Sequence, residues 1–394
     1  MTGPLTGYRI IDLTTMISGP VATMMLGDQG ADVIKVEAPG GGDLVRQLGN
    51  THRGMTPTFA TTNRSKRSMV LNLKHASGLE LLERLVEGAD LFVQNFRPGT
   101  AERMGIGEKT LRAIRPDLVY VSINGFGDVG PYAHKRVYDP VIQALSGLAS
   151  IQGGHGKERP RMLRLIIPDK LTALTAAQAM TAALLARERT GQGQHVRLSM
   201  LDATIAFLWP EGMSGHTFIG DEERVPRTTL AQDLVFETAD GFITAGAVSD
   251  AEWAGLARAT GHPEWLEDPR FATPAGRVTH AGERLELMAG ALAHRTTEEW
   301  LERLDADEVP CAPILSRSDV IVHPQVQANQ LIVESVHPHA GPMRQTRPAA
   351  RFDLTPAEIG RAAPLLGEHT DELLVELGIP NTEIATLREA GAVG

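Results

Sequence analysis

The chain reads as an α/β protein built on a parallel sheet, and three observations carry that reading. A complete strand–helix–strand unit occupies residues 8–37. The same alternation of strand-like and helix-length segments continues to Ile123. After residue 209 the texture changes and a separate, mixed unit follows. With 394 residues the chain exceeds what one hydrophobic core usually holds, so two domains are expected.

Tyr8 to Leu13 forms the first strand. Ser18-Gly19-Pro20 supplies a cap and a proline for a helix running to about Gln29. Gly30 ends it, and Ala31 to Glu37 is the second strand. The unit invites a dinucleotide-binding reading with Glu37 on a ribose, but the first turn, TTMISGP, lacks G-x-G-x-x-G. Gly40-Gly41-Gly42 falls after the second strand, where it makes a loop. A third strand spans Ser68 to Leu73, followed by a helix from Gly78 to Glu87. Strands Ala89–Gln94 and Leu118–Ile123 flank a helix over 108–114. Ligands of such sheets bind beyond the carboxyl ends of the strands, which places the loops 14–19, 38–43, 72–75, 95–99 and 124–139 on the binding side.

The segment Leu163–Ala203 concentrates the chemistry. A β-branched run, Leu165-Ile166-Ile167, meets Pro168, and Asp169 then stands where a helix over Lys170–Arg189 must begin. Arg187 and Arg189 lie in its last turn, and Gly191 and Gly193 stop it. A carboxylate at a helix N-terminus is favoured as the anion and has backbone N–H groups nearby. On these residues alone Asp169 is either an N-cap or a nucleophilic carboxylate.

The whole is expected to be a discontinuous large domain with a Rossmann-like parallel sheet, residues 1–209 and 336–394, and a smaller α+β domain, residues 228–322. Segments 210–227 and 323–335 link them, and the stretch from His337 to Phe352 also reads as linker. The small domain opens with a hairpin turning at Asp240-Gly241, then helices near 250–260, 280–293 and 297–304. A helical tail, Thr370–Leu377, is expected near the C-terminus.

Composition excludes several classes. The chain is 42% hydrophobic and 22% charged with a formal net charge of −10, which argues against nucleic-acid binding. Cys311, the only cysteine, lies in apolar VPCAPIL, so neither a disulfide nor a thiolate cluster forms and a cytoplasmic location is expected. No signal peptide and no membrane-length apolar run is present. The thirteen histidines show no H-E-x-x-H spacing, and no metal site is expected.

Nine motifs in order resemble the class III CoA-transferase family, which includes formyl-CoA transferases, carnitine CoA-transferases and α-methylacyl-CoA racemases. They are PLTGYRIIDLTTMISGP, GADVIKVEAPGGGD, NRSKRSMVLNLK, NFRPGTAERMGIG, INGFG, YDPVIQALSG, ARERTGQGQ, SMLDA and PLLGEHTDELL. The resemblance implies an interlocked, ring-shaped homodimer and Asp169 as the nucleophile on an acyl thioester. It implies coenzyme A contacts at Ile17, Ser18, Leu71, Asn72, Leu73, Lys74, Asn95, Phe96, Arg97, Arg103, Arg136, Val137, Tyr138 and Asp139. The substrates are then an acyl-CoA and a free carboxylic acid, with no permanently bound cofactor. The basic run Arg64-Ser65-Lys66-Arg67, otherwise a solvated loop, becomes a candidate phosphate attractor.

Departures from the family pattern narrow the expectation. The racemases place a histidine where this chain has Tyr138, and a phenol with a pKa near ~10 is a poor base at neutral pH. His134 and His155 do not fit that pattern either. Racemisation is therefore the alternative to CoA transfer, and a non-catalytic CoA-binding scaffold is a second. Formyl-CoA transferases carry glutamine at Ile17, arginine at Ala38 and a glycine run absent here. An apolar Ile17 suits a larger or less polar acyl group than formyl or oxalyl.

Overall fold

The computed structural model describes residues 3–153, 159–220 and 233–394. They fall into two compact units, Met1–Phe207 with Asn329–Gly394, and Leu208–Ala328. The first unit holds six strands: β1 (Arg9–Asp12), β2 (Asp32–Glu37), β3 (Lys66–Val70), β4 (Leu91–Gln94), β5 (Val119–Asn124) and β6 (His195–Ser199). They form one parallel sheet in the order β3-β2-β1-β4-β5-β6. Strand β6 escaped the sequence reading: its five residues HVRLS sit just past the glycines that stop the preceding helix.

Successive residues of the central strands point to opposite faces, and both faces are covered. Ile11, Ile34 and Phe92 pack with helices Ala76–Glu87 and Thr370–Glu376. Ile10, Val33, Leu91 and Val121 pack with helices Ser18–Asp28 and Ile167–Thr190. Sheets buried on both sides need apolar residues at consecutive positions, as Ile10-Ile11 and Val33-Ile34 supply.

The basic run is not a loop. Lys66 and Arg67 begin β3, two residues earlier than the expected strand start at Ser68, and Arg64, Lys66 and Arg67 are all buried. Each has acidic partners from distant sequence: Arg64 pairs with Asp28, Lys66 with Asp12, and Arg67 with Asp32, Glu372 and Glu376. Burying a cation costs far more than burying a methylene unless a counter-charge meets it. These residues are therefore structural, neither solvated nor open to phosphate. Glu37 is likewise committed, to Arg46 and Ser68.

The expected linker around His337–Phe352 is instead a β-hairpin. Strands Ile332–His337 and Gly341–Thr346 pair antiparallel. Most residues of the first of these are exposed or half-buried, so its sequence lacks the in–out alternation that reveals a strand. A second C-terminal helix, Asn381–Glu389, extends the expected helical tail.

The second unit has an antiparallel sheet of Val235–Glu237, Phe242–Ala245 and Cys311–Pro313. Helices Asp250–Thr260 and Thr297–Ala306 each start with a capping box, Ser249/Glu252 and Thr296/Glu299. Trp253, Trp265, Phe271 and Trp300 fill its core. Burial and Asp305 push the Cys311 thiol up to about 11, which makes it a poor nucleophile at neutral pH.

Candidate active site

In a sheet of this order the chain leaves β1 toward one edge and β4 toward the other, so the loops after β1 and β4 part and open a crevice. A cleft of about 250 Å³ lies there. Its walls are Thr15, Met16 and Ser18 after β1, Asn95–Pro98 after β4, and Gly125 with Lys135–Tyr138 after β5, with Asp169 and Met200 completing it.

Asp169 is not an N-cap. Helix Ile167–Thr190 starts two residues earlier, and its cap position, Ile166, offers no side-chain acceptor. The Leu165–Ile167 run forms no strand. The missing acceptor comes from a neighbouring helix, Asp139–Leu145: Asp139 Oδ2 accepts the Asp169 backbone N–H at 3.1 Å. Asp139 Oδ1 accepts from the Gln143 amide at 2.6 Å. The same amide group reaches the Leu165 carbonyl at 3.1 Å, and Gln143 Oε1 accepts the Leu163 N–H at 2.9 Å. Gln143, 2% exposed, thus holds the main chain that leads into Asp169.

Burial and the Asp139 charge raise the Asp169 pKa to about 6, while hydrogen bonds from the Ser18 hydroxyl and N–H pull the other way. Ser18 opens the helix Ser18–Asp28 behind Ile17, whose position is the actual cap, so its N–H is one of the unpaired donors of a helix start. The helix-terminus argument alone predicts an acidic, always-ionised Asp169. The structure gives a carboxylate held above its ordinary range by burial and a like charge.

The structure brings together Ser18, Asn95, Phe96, Arg97, Arg136, Val137, Tyr138 and Asp169 as lining of one cleft, with Asp139 directly behind. Among the described residues the side chains of Arg97 and Arg136 have no carboxylate or hydrogen-bond partner, and both residues are exposed. Asn95 does more than line the wall: its amide accepts the Thr15 N–H at 2.9 Å and donates to the Thr15 carbonyl at 2.8 Å, tying two loops together.

Other candidates lie elsewhere. Ile17, 8% exposed, sits in an apolar cluster with Val45, Met55 and Phe59, and Met16 supplies the apolar wall at that point. Leu71 belongs to the sheet core and Leu73 packs against it, while Asn72 bonds to Gly391. Lys74 is exposed outside the cleft lining, and Arg103 is exposed with a bond to Thr100. His155 lies outside the described residues.

Sequence reasoning missed Met16, Gly125, Lys135, Met200 and Gln143. Gly125 is explained by the fold: a Cβ there would meet the Val137 side chain at 2.6 Å, a contact between residues twelve apart that the amino-acid order does not show. A second polar cavity shares Phe96, Arg97, Pro98 and Asn124 with the first; in it Ser122 and His195 meet at 2.8 Å across β5 and β6. Among the described residues no three His, Cys, Asp or Glu side chains converge as around a metal ion, and no helix is long and apolar enough to cross a membrane.

The crevice at the switch point of this doubly wound sheet, with an aspartate in its wall, is the ligand-binding place of an α/β enzyme fold, and comparison gives the family. The sequence profile of CoA-transferase family III matches residues 5–370. The chain belongs to that family and is an enzyme of the class III CoA-transferases. It is 35% identical over 379 residues to succinyl-CoA:glutarate CoA-transferase of Mus musculus, covering 95% of this chain and 86% of that one. Succinyl-CoA–D-citramalate CoA-transferase of Chloroflexus aurantiacus is 32% identical, covering 98% and 97%. Formyl-CoA:oxalate CoA-transferase of Escherichia coli is 31% identical over the full length of both. The crystal structure of a CAIB/BAIF family protein from Brucella suis superimposes with a TM-score of 0.81 at 30% identity, covering 96% and 100%.

Proposed function

We propose that this protein moves CoA from an acyl-CoA to a free carboxylic acid through covalent intermediates on Asp169, acting as a cytoplasmic homodimer. The observation that carries the reading is the half-buried Asp169 carboxylate in the crevice, facing Ser18 and beside the unpaired side chains of Arg97 and Arg136. One Asp169 oxygen attacks the thioester carbonyl and expels CoA thiolate, leaving an acyl-aspartyl anhydride. The thiolate attacks the aspartyl carbonyl and expels the donor acid, leaving an aspartyl-CoA thioester. The acceptor carboxylate then attacks that thioester, and the thiolate finally takes the new acyl group, freeing Asp169. Protons and charge balance throughout.

Each chain residue has a part in this reading. A carboxylate with its pKa raised toward 6 is more nucleophilic than an ordinary one and still ionised at neutral pH. Asp139 holds the Asp169 main chain; the Asp169 N–H is therefore engaged and does not serve the oxyanion. Arg97 and Arg136 take CoA phosphates by charge-assisted hydrogen bonds. A cleft of about 250 Å³ accepts the thioester end and leaves the nucleotide outside. Relatives named for succinyl-CoA favour a succinyl-type donor. Exposed Leu174 and Leu185 on the Ile167–Thr190 helix support a second protomer.

Hydroxylamine added during incubation with succinyl-CoA is expected to trap a hydroxamate at Asp169, visible as an intact-mass shift mapped by peptide sequencing. Solvent deuterium uptake at Cα of a 2-methylacyl-CoA, without trapping, would replace the reading with racemisation. Arg97→Ala and Arg136→Ala are each expected to weaken CoA binding about tenfold to a hundredfold, by loss of a charge-assisted contact, with kcat at saturation little changed. Arg103→Ala, outside the cleft, should cost less. Titration calorimetry checks all three.

A further inference from the structure

Beneath the first loop lie four ionised groups that the proposed chemistry does not use. Asp12, Lys35, Asp43 and Lys66 are each fully buried. Lys66 Nζ donates to Asp12 Oδ2 at 3.0 Å, to the Pro20 carbonyl at 2.9 Å and to Asn63 Oδ1 at 2.9 Å. Lys35 Nζ donates to the Thr14 carbonyl at 2.7 Å and pairs with Asp43 at 2.9 Å. Asp12 Oδ1 accepts the Thr14 N–H at 2.8 Å, and Asp43 Oδ1 accepts the Met16 N–H at 3.0 Å. The backbone from Thr14 to Pro20 is therefore held at four points by the side chains of this cluster.

That loop is under strain and faces the reacting group. Met16 has φ 70°, a left-handed conformation costly for a side chain of its size. Two residues on, Ser18 lines the same cleft as Asp169, and its hydroxyl and N–H face the carboxylate and favour its ionised form. We propose that Lys66 and Lys35 are positioning residues: with Asp12 and Asp43 they hold the Thr14–Pro20 loop in the strained conformation that keeps Ser18 on the Asp169 carboxylate. The inference rests on the nucleophile reading for its catalytic consequence, but its structural claim stands without it.

The donor count makes the claim specific. A lysine ammonium has three N–H donors, and Lys66 spends all three on three acceptors. A neutral amine has two, so one contact is lost when the proton leaves. Burial, against the pull of Asp12 and helped by the Lys35 charge, brings Lys66 down to about 8. Asp12, Lys35 and Asp43 are the charged groups that face it, and Glu37 acts on Lys35. Burial alone would raise Asp12, but Lys66 and Lys35 hold it at about 2, so it stays ionised across this window.

The test reads Asp169 and the loop directly. In Lys66→Met, the ¹³Cγ resonance of Asp169 is expected to titrate above the wild-type midpoint near 6, because the Ser18 bonds that lower it are loosened. kcat for CoA exchange should fall at least about tenfold with KM changed less than about threefold. An unshifted Asp169 midpoint in a folded variant overturns the proposal. Wild-type protein decides the matter if the variant does not fold: the Met16 and Ser18 amide resonances should move together with a midpoint near 8. Amides that stay constant through that range also overturn it. Failure of the nucleophile reading would appear separately, as exchange activity surviving Asp169→Ala.

Discussion

Asp169→Asn is expected to abolish CoA exchange and, at neutral pH, to raise the melting temperature. Removing a nucleophile from a covalent mechanism costs about 10⁴-fold or more in kcat. The gain in stability has a different origin. Folding half-buries Asp169 beside Asp139 and raises its pKa from 3.8 to about 6, so the folded state resists ionisation that the unfolded chain undergoes freely. The sign follows: a raised carboxylate pKa penalises the native state above its unfolded value. The penalty is absent below about pH 4, grows between about 4 and 6, and is constant above. Two units correspond to roughly 3 kcal/mol, and partial exposure of the group reduces this to about 1–2 kcal/mol. The asparagine oxygen can still accept from Ser18 while the repulsion from Asp139 is gone.

Melting curves of both proteins at about pH 4 and about pH 7.5 check the stability half. The variant should melt higher only at the upper pH. An equal advantage at both would show that the Asp169–Asp139 contact carries no strain. Wild-type exchange should lose activity as pH falls through about 6, where Asp169 takes up its proton. A variant retaining more than about a tenth of wild-type activity would end the nucleophile assignment.

Arg67→Ala is expected to lower stability by about 3 kcal/mol, at the low end of what breaking a buried ion pair costs because Glu372 and Glu376 keep some solvent contact. The guanidinium, nearly buried, bridges Asp32 on β2 to Glu372 and Glu376 on the helix Thr370–Glu376. Its loss takes a partner from Asp32, Glu372 and Glu376, of which Asp32 and Glu376 keep Arg9, and weakens the tie between that helix and the sheet. Arg67→Lys should recover only part of the loss, because an ammonium cannot present the planar fork that meets two acceptors at once. Urea denaturation followed by tryptophan-independent circular dichroism measures both. A midpoint shift worth less than about 0.5 kcal/mol would place Arg67 among ordinary surface pairs.

The strand–helix alternation, the C-terminus of the Ile167–Thr190 helix and the place of Asp169 near its start were legible in the amino-acid order, because they depend on neighbours within a few residues, while the start itself falls three residues before the expected Lys170. Apolar runs, Pro168 at the helix start and Gly191 in a left-handed turn at its end are local signals with local causes. The resemblance to the family added expected neighbours of Asp169, residue by residue, and several of those residues share one cleft.

What could not be read was who meets whom across the sheet. Arg64, Lys66 and Arg67 look like a solvated basic run because Asp28, Asp12 and Asp32 lie dozens of residues away. Parallel pairing of β1, β2 and β3 brings them together and turns a surface charge into a buried one. The pKa of Asp169 belongs to the same category. Its helix terminus is written in the sequence and favours the anion, but Asp139, Ser18 and the depth of burial arrive from other elements. Electrostatic energy depends on distance and dielectric in three dimensions, and only the tertiary structure sets either one.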